Sequence, residues 1–163
     1  MRNPYQRKAN TTSGQKGPVS VQSQYQNFVE AIVSQAKVYA LYQDGWALCA
    51  TPTGQASLAV WQSKGLAQLL IKDNWANYHI EEIELIPFLE KMIPFIRANG
   101  KILSINLTPE GQNILISGDK FILDLKRYLY QLQLSQPEVF NDPRIPHPRK
   151  LRMTVFKAHY KDE

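Results

Sequence analysis

The sequence has few of the residues from which catalytic and metal sites are usually built. It contains one cysteine, three histidines and eight glycines, none of which is next to another glycine. It therefore has no Cys-x-x-Cys or His-Glu-x-x-His motif to bind zinc and no glycine-rich loop to cradle a phosphate. The Gly-x-Ser-x-Gly elbow of serine hydrolases is also missing. These absences predict a protein with no metal, no cofactor and no catalytic residue, and therefore not an enzyme.

Long apolar segments are missing too. No run approaches the ~18 residues that span a membrane, and residues 1–20 are polar and basic, unlike a secretory signal. Cys49 lies in an apolar run and has no second cysteine to pair with, which favours a buried, reduced thiol. We therefore expect a cytoplasmic protein that does not bind membranes.

The net charge of +5 is concentrated at the two ends of the chain. Residues 1–20 carry four basic and no acidic side chains, whereas residues 21–136 carry nine basic and ten acidic ones. Residues 137–163 carry six basic and four acidic side chains. Ends of this kind either keep the protein soluble or attract nucleic acid weakly and in a salt-dependent way.

Composition divides the chain into three parts. Residues 1–20 are too polar to fold, so we predict a disordered basic N-terminal tail. Residues 21–136 show helical and strand periodicity and predict a single globular domain. Residues 137–163 are a proline-rich, basic extension, in which the alternation at residues 150–156 predicts a strand. We expect this C-terminal tail to be partly ordered.

The periodicity of residues 21–136 predicts an α/β fold of the α+β type. It indicates a mostly antiparallel mixed sheet of about five to six strands, with about four helices packed on it. Asp44-Gly45 predicts a tight hairpin, and the strands on either side should form an antiparallel meander with the strand that follows. Among the helices, Pro94 should kink or split the third. The predicted helix-capping residues are Ser23, Ser63 and Asp119.

Two features indicate a binding surface. The last predicted helix is apolar on two sides, and its second stripe needs a cover, which is a partner, a second copy or the chain's own tail. Tryptophan and tyrosine cluster in the first half of the chain, and both are typical of binding hot spots as well as of cores. We expect two of the three tryptophans in the core. Together these features define a candidate partner-binding surface of Trp61, Lys64, Trp75, Tyr78, Leu123, Tyr130 and Leu134.

Several short sequence elements follow one another along the middle of the chain in a characteristic order. They are Gly45-Trp46-Ala47-Leu48, Val60-Trp61, Trp75, Phe88-Leu89 with Pro94 and Gly100, and the turn Thr108-Pro109-Glu110-Gly111. From Phe28 to about Leu125 they resemble a family catalogued as domain of unknown function 2750. The resemblance implies a small, soluble, bacterial α/β domain and supplies no catalytic residue. The strand followed by Val-Trp and a helix is also similar to domains of bacterial toxin-immunity and secretion-associated proteins.

Three functions remain open on this basis. The leading hypothesis is a non-enzymatic, protein-binding module of immunity or adaptor type, either a monomer or a homodimer. The first alternative is a nucleic-acid-associated protein acting through its basic ends. Its candidate phosphate contacts are Arg2, Arg7, Lys8, Arg144, Arg149, Lys150 and Arg152. The second alternative is an enzyme of unrecognised type that uses Glu82 or Glu84.

Overall fold

The architecture is a mixed sheet carrying four helices, in a computed structural model that describes residues 20–151. The third helix, α3, is a continuous helical segment made of Leu85–Pro87, the π-helical turn Phe88–Met92 and Ile93–Ala98. The other helices are α1 (Val21–Gln35), α2 (Lys64–Gln68) and α4 (Gly118–Ser135). Short 3-10 turns lie at Asp73–Trp75, Pro137–Asn141 and Pro148–Lys150.

The sheet has six strands and confirms the predicted fold class. The strands are β1 (Lys37–Tyr42), β2 (Leu48–Ala50), β3 (Ala56–Trp61), β4 (His79–Glu84), β5 (Ile102–Ile105) and β6 (Ile114–Ile116). Their spatial order is β4-β1-β3-β5-β6, with β2 also paired to β3. The pair β3–β5 is parallel, and the other pairs of described strands are antiparallel. β4 and β6 therefore lie at the two ends of the sheet.

The predicted hairpin at Asp44-Gly45 is wrong. β1 and β2 lie end to end along the same side of β3. β1 pairs with the last residues of β3, and β2 pairs with the first residues of β3. Between them the chain leaves the sheet as a loop closed by a bridge from Tyr42 to Trp46. The backbone of Ala47 then bonds to both β1 and β3 and brings the chain back into line. The antiparallel meander is accordingly one interrupted strand beside β3.

The larger core lies on one face of the sheet, under α1, α3 and α4. Its centre is built from three phenylalanine rings, Phe28, Phe88 and Phe121, all of them fully buried. The alternating side chains of β1, β3 and β5 close it from below. Burial of this much apolar surface is the main term that stabilises the fold.

A smaller core lies on the opposite face. Trp61 is its largest member and is fully buried, in one cluster with Ala67 of α2 and with Leu70, which follows that helix. The Trp61 indole Nε1 donates a hydrogen bond of 2.9 Å to the carbonyl oxygen of Leu107. The Trp75 ring meets Trp61 edge-on, with 6.3 Å between ring centroids. Trp61 thus has its apolar surface covered and its one polar atom satisfied.

The predicted capping residues lie at, or within one turn of, the observed starts of α1, α2 and α4. Ser63 caps α2 as predicted, and its side chain accepts a hydrogen bond from the N–H of Leu66. The other two predicted caps are wrong: Ser20 caps α1 in place of Ser23, and Ser117 caps α4 in place of Asp119. In both helices a serine a few residues earlier supplies the oxygen that the first free N–H groups need.

The proline inside α3 distorts the helix as predicted. Pro94 lacks the N–H that would bond to Glu90 one turn earlier, and its ring would collide with that carbonyl group. The structure accommodates it with the π-helical turn Phe88–Met92 immediately before the last stretch of the helix. A wider turn of this kind relieves the collision without ending the helix.

The packed fold continues beyond Gln136 into the C-terminal extension. Phe140, Ile145 and Leu151 are all buried and belong to the larger core. The two 3-10 turns that carry this segment contact α4. Residues 148–150 form one of these turns in place of the start of the predicted strand. The rest of that strand, and the predicted disordered tail before Ser20, lie outside the described residues.

Candidate functional site

A groove of about 720 Å³ lies at the carboxyl ends of the parallel strands β3 and β5. The crevice beyond the carboxyl ends of parallel strands is where α/β sheets commonly bind ligands. Besides apolar side chains from Val21, Leu66 and Ile114, the groove is lined by six carboxamides. We call it the amide groove, and its amide residues are Gln24, Asn27, Gln62, Asn106, Gln112 and Asn113.

Two of these amides hold each other in place. Gln62 directly follows β3 and Asn106 directly follows β5. The Asn106 Oδ1 accepts a hydrogen bond from the Gln62 backbone N–H at 3.1 Å, and Asn106 Nδ2 donates to Gln62 Oε1 at 2.9 Å. Asn106 has φ of 55°, in the left-handed region that asparagine tolerates better than most residues. The floor of the groove is therefore rigid and polar.

The amide groove carries no charge. None of the side chains that line it is acidic, basic or histidine, and none is aromatic. Each carboxamide offers both hydrogen-bond donors and acceptors. Such a lining suits a ligand with neutral donors and acceptors of its own. Its polar side chains are the six carboxamides and the hydroxyl of Thr108, which are all neutral.

A second groove, of about 400 Å³, lies between α1 and α4 over the side chains of Ile114 and Ile116. We call it the tyrosine groove, since Tyr25 and Tyr128 line it. The Tyr25 hydroxyl donates to Asp124 Oδ2 at 2.9 Å, and Lys120 Nζ lies 2.9 Å from Oδ1 of the same carboxylate. Burial, reinforced by Asp124, raises the pKa of the Tyr25 phenol.

This pKa shift predicts a loss of stability in alkali. The unfolded chain releases the Tyr25 proton near pH 10, the ordinary value, while the folded protein retains it. Since the unfolded state then binds fewer protons, the free energy of unfolding falls as the pH rises above about 10. We expect Tyr25→Phe to lose about 1–2 kcal/mol at pH 7, with its hydrogen bond to Asp124, and to show a shallower alkaline decline. Urea unfolding from pH 7 to 11 measures both effects.

Burial also raises the pKa of Cys49 and of Tyr128, so both groups add to the wild-type decline, and Cys49 does so from a lower pH than Tyr25. The comparison with Tyr25→Phe isolates the Tyr25 part. Parallel pH profiles for the two proteins would show that Tyr25 ionises as freely in the folded state as in the unfolded one.

The predicted partner-binding surface does not form one surface in the structure. Trp61 is 0% exposed, so no partner can reach it. Trp75 and Tyr78 are half-buried and pack on the smaller core, and Lys64 is exposed at the start of α2. The other three residues lie on α4, which covers the opposite face of the sheet. They are all exposed, to 37% for Leu123, 42% for Tyr130 and 88% for Leu134.

The candidate phosphate contacts are divided by the limits of the described chain. Arg2, Arg7, Lys8 and Arg152 lie outside residues 20–151. Arg144 is engaged by Asp142, with 2.8 Å between its Nη2 and the carboxylate Oδ2, and this arginine lowers the pKa of Asp142. Arg149 and Lys150 are exposed on the last 3-10 turn. These positions do not adjoin either groove.

The groups considered for catalysis are not assembled into a site. Burial raises the pKa of the Cys49 thiol, which disfavours the nucleophilic thiolate. Glu82 pairs with Lys37 at 3.1 Å on the exposed β4 edge of the sheet, and Glu84 lies further along the same edge. Within residues 20–151 there is no cluster of three or more side chains that could hold a metal ion. No helix in that range is long and apolar enough to cross a bilayer.

The fold and the grooves define a mixed α/β domain with a neutral, amide-lined crevice. The chain belongs to the family described as Protein of unknown function (DUF2750), which matches residues 25–125 and thereby confirms the family resemblance seen in the sequence. The match runs from α1 to the middle of α4 and includes β3, β5 and β6, which border the grooves. Comparisons with curated proteins and with solved structures found no match.

Proposed function

We propose that this protein is a non-enzymatic binding module that holds an extended, uncharged peptide segment of a partner protein in the amide groove. The proposal keeps the adaptor or immunity type of function and moves its site from the tryptophan-rich surface to the crevice between β3 and β5. The observation that carries it is the polar lining of that crevice, which consists of six carboxamides and one threonine and includes no charged side chain.

A peptide backbone is the ligand that fits this lining best. It presents neutral N–H and C=O groups at regular intervals, and carboxamides pair with both. A nucleic acid would need basic side chains for its phosphates and aromatic rings for its bases, and the groove has neither. A charged segment would lose its hydration in the groove without gaining an opposite charge.

The cellular setting belongs to the same proposal. A bacterial cytoplasm is supported by the family resemblance and by the single cysteine, because cytosolic proteins rarely depend on disulfides. The protein would act there as an adaptor whose partner contributes an unfolded segment or an exposed strand.

Panning a random phage-displayed peptide library against the full-length protein tests this function. The discriminating variant is Gln24→Glu/Gln112→Glu, which places two carboxylates of nearly unchanged shape at exposed positions of the amide groove. We expect uncharged peptides to be enriched, and the double variant to bind them at least about tenfold more weakly, since an ionised acceptor cannot donate to a carbonyl group.

Gln68→Glu/Gln136→Glu is the matched control, because both glutamines are exposed and line neither groove. It adds the same charge elsewhere and should leave peptide affinity unchanged. A library that enriches no peptide would contradict the proposal. So would peptides that bind the groove variant and the control variant equally well.

A further inference from the structure

We propose that the bound peptide joins the sheet as an additional strand on the free edge of β6, a binding mode that rests on the proposed function. The amide groove would then receive one end of the peptide, and the backbone of β6 would pair with its middle.

The direction of the backbone groups follows from one hydrogen bond. The N–H of Asn106 donates to the carbonyl oxygen of Val60 at 2.9 Å. In a strand, the N–H and C=O groups of successive residues point to opposite edges. Because Asn106 faces β3, Leu103 and Ile105 of β5 direct their N–H and C=O groups towards β6. These two residues are paired with Ile116 and Ile114. Leu115 lies between Ile114 and Ile116, so its N–H and C=O groups point away from β5, towards the outer edge of the sheet.

Leu115 is available for pairing. Within residues 20–151 its backbone has no hydrogen-bond partner beyond the sheet edge, and its side chain is 40% exposed. An edge residue of this kind presents one donor and one acceptor in the geometry that an added strand requires. The flanking side chains, Ile114 and Ile116, turn towards the larger core, which leaves the outer rim of β6 open.

The three edge strands formed by residues 20–151 differ in character. β4 carries His79, Glu81, Glu82 and Glu84, and charged side chains on an edge strand discourage pairing with another chain. β2 is uncharged, but none of its residues lines either groove. β6 is uncharged and lies against both grooves, so it alone among these edges combines free backbone groups with a cavity for the ends of a peptide.

The two grooves share lining residues at the start of β6. Val21 and Ile114 line both of them, the amide groove begins where β6 begins, and the tyrosine groove extends to Ile116. A strand laid along the edge would pass from the amides to the cleft between α1 and α4. Its alternate side chains would face the isoleucines of β6 on one side and Leu115 on the other, which favours apolar or β-branched residues.

Leu115→Pro is the first test of strand addition, using a peptide enriched by the panning described above. Proline removes the outward N–H of Leu115 but no hydrogen bond within the sheet, so the variant should fold. We expect its affinity for the peptide to fall at least about tenfold. Leu115→Val keeps the N–H and a similar side chain and should bind within about threefold of the wild type. Equal binding by all three proteins would overturn the inference.

A scan of backbone N-methylation along the same peptide is the second test, and it leaves the protein unaltered. Strand addition predicts that methylation weakens binding at every second residue, because only alternate N–H groups face β6. Uniform tolerance would overturn the strand addition and leave the proposed function standing, since the peptide would still distinguish the groove variants. A wild-type dimer that Leu115→Pro converts to a monomer would show that a second copy occupies the edge, which would also overturn it.

Discussion

Ending the chain after Gln136 is expected to lower the free energy of unfolding by about 5 kcal/mol or more. The deletion removes Phe140, Ile145 and Leu151, which are buried in the larger core, and burying one such side chain contributes about 1.5–3 kcal/mol. It also exposes the apolar side chains of α4 that these residues cover. Because a domain has only about 5–15 kcal/mol of stability, the shortened protein should be largely unfolded. Urea unfolding followed by far-ultraviolet circular dichroism measures the loss.

Point substitutions in the full-length chain separate packing from chain length. Phe140→Ala should cost about 3 kcal/mol, because it leaves a cavity beside α4. Arg149→Ala, at an exposed position in the same segment, should change stability by less than about 0.5 kcal/mol. If the shortened chain unfolded with wild-type stability, residues 137–151 would have to be detached from the core in solution.

Replacing Trp61 with alanine is expected to cost about 4–5 kcal/mol. The side chain is fully buried in the smaller core, and replacing a buried aromatic residue with alanine usually costs about 3–5 kcal/mol. The substitution also deprives the carbonyl oxygen of Leu107 of the indole N–H, which adds roughly 1 kcal/mol. Chemical unfolding at neutral pH is the appropriate measurement, and loss of near-ultraviolet circular dichroism should accompany it.

Two controls assign the effect of Trp61 to burial. Trp75→Ala removes the half-buried partner of the ring pair and should cost only about 1–2 kcal/mol. Trp61→Phe keeps a ring in the core and should fall between the wild type and Trp61→Ala. A stable Trp61→Ala protein with an altered binding surface would indicate that the indole is exposed after all, as the sequence-based surface assumed.

The division of the predicted partner-binding surface between the two faces of the sheet has a clear physical origin. Trp61 and Trp75 flank α2 in sequence, and a tryptophan in such a position fits either a groove or a core. The choice depends on whether a helix covers the strand, and this is decided by α2 folding back over β3. The second stripe of α4 was identified correctly as apolar, because helical periodicity alone places Leu123, Tyr130 and Leu134 on one side.

The amide groove could not have been predicted from local patterns. Its six carboxamides come from α1, from the ends of β3 and β5, and from the turn before β6. Glutamine and asparagine at these positions resemble ordinary surface residues, and nothing in their spacing connects Gln24 with Gln112. The one local signal was the position of Gln62 and Asn106, each directly after an apolar strand, and that signal has meaning only if the two strands are parallel neighbours.

The sequence by itself determined the elements, the core residues and the scarcity of catalytic groups, because periodicity and composition act over a few residues at a time. The tertiary structure decided the rest. The parallel pairing of β3 with β5 brought Gln62 to Asn106, and the same pairing turned the backbone of Leu115 outwards. The packing of the other elements brought residues 137–151 onto α4 and covered Trp61 with α2. Such contacts join positions far apart in the chain, so they depend on how whole elements pack.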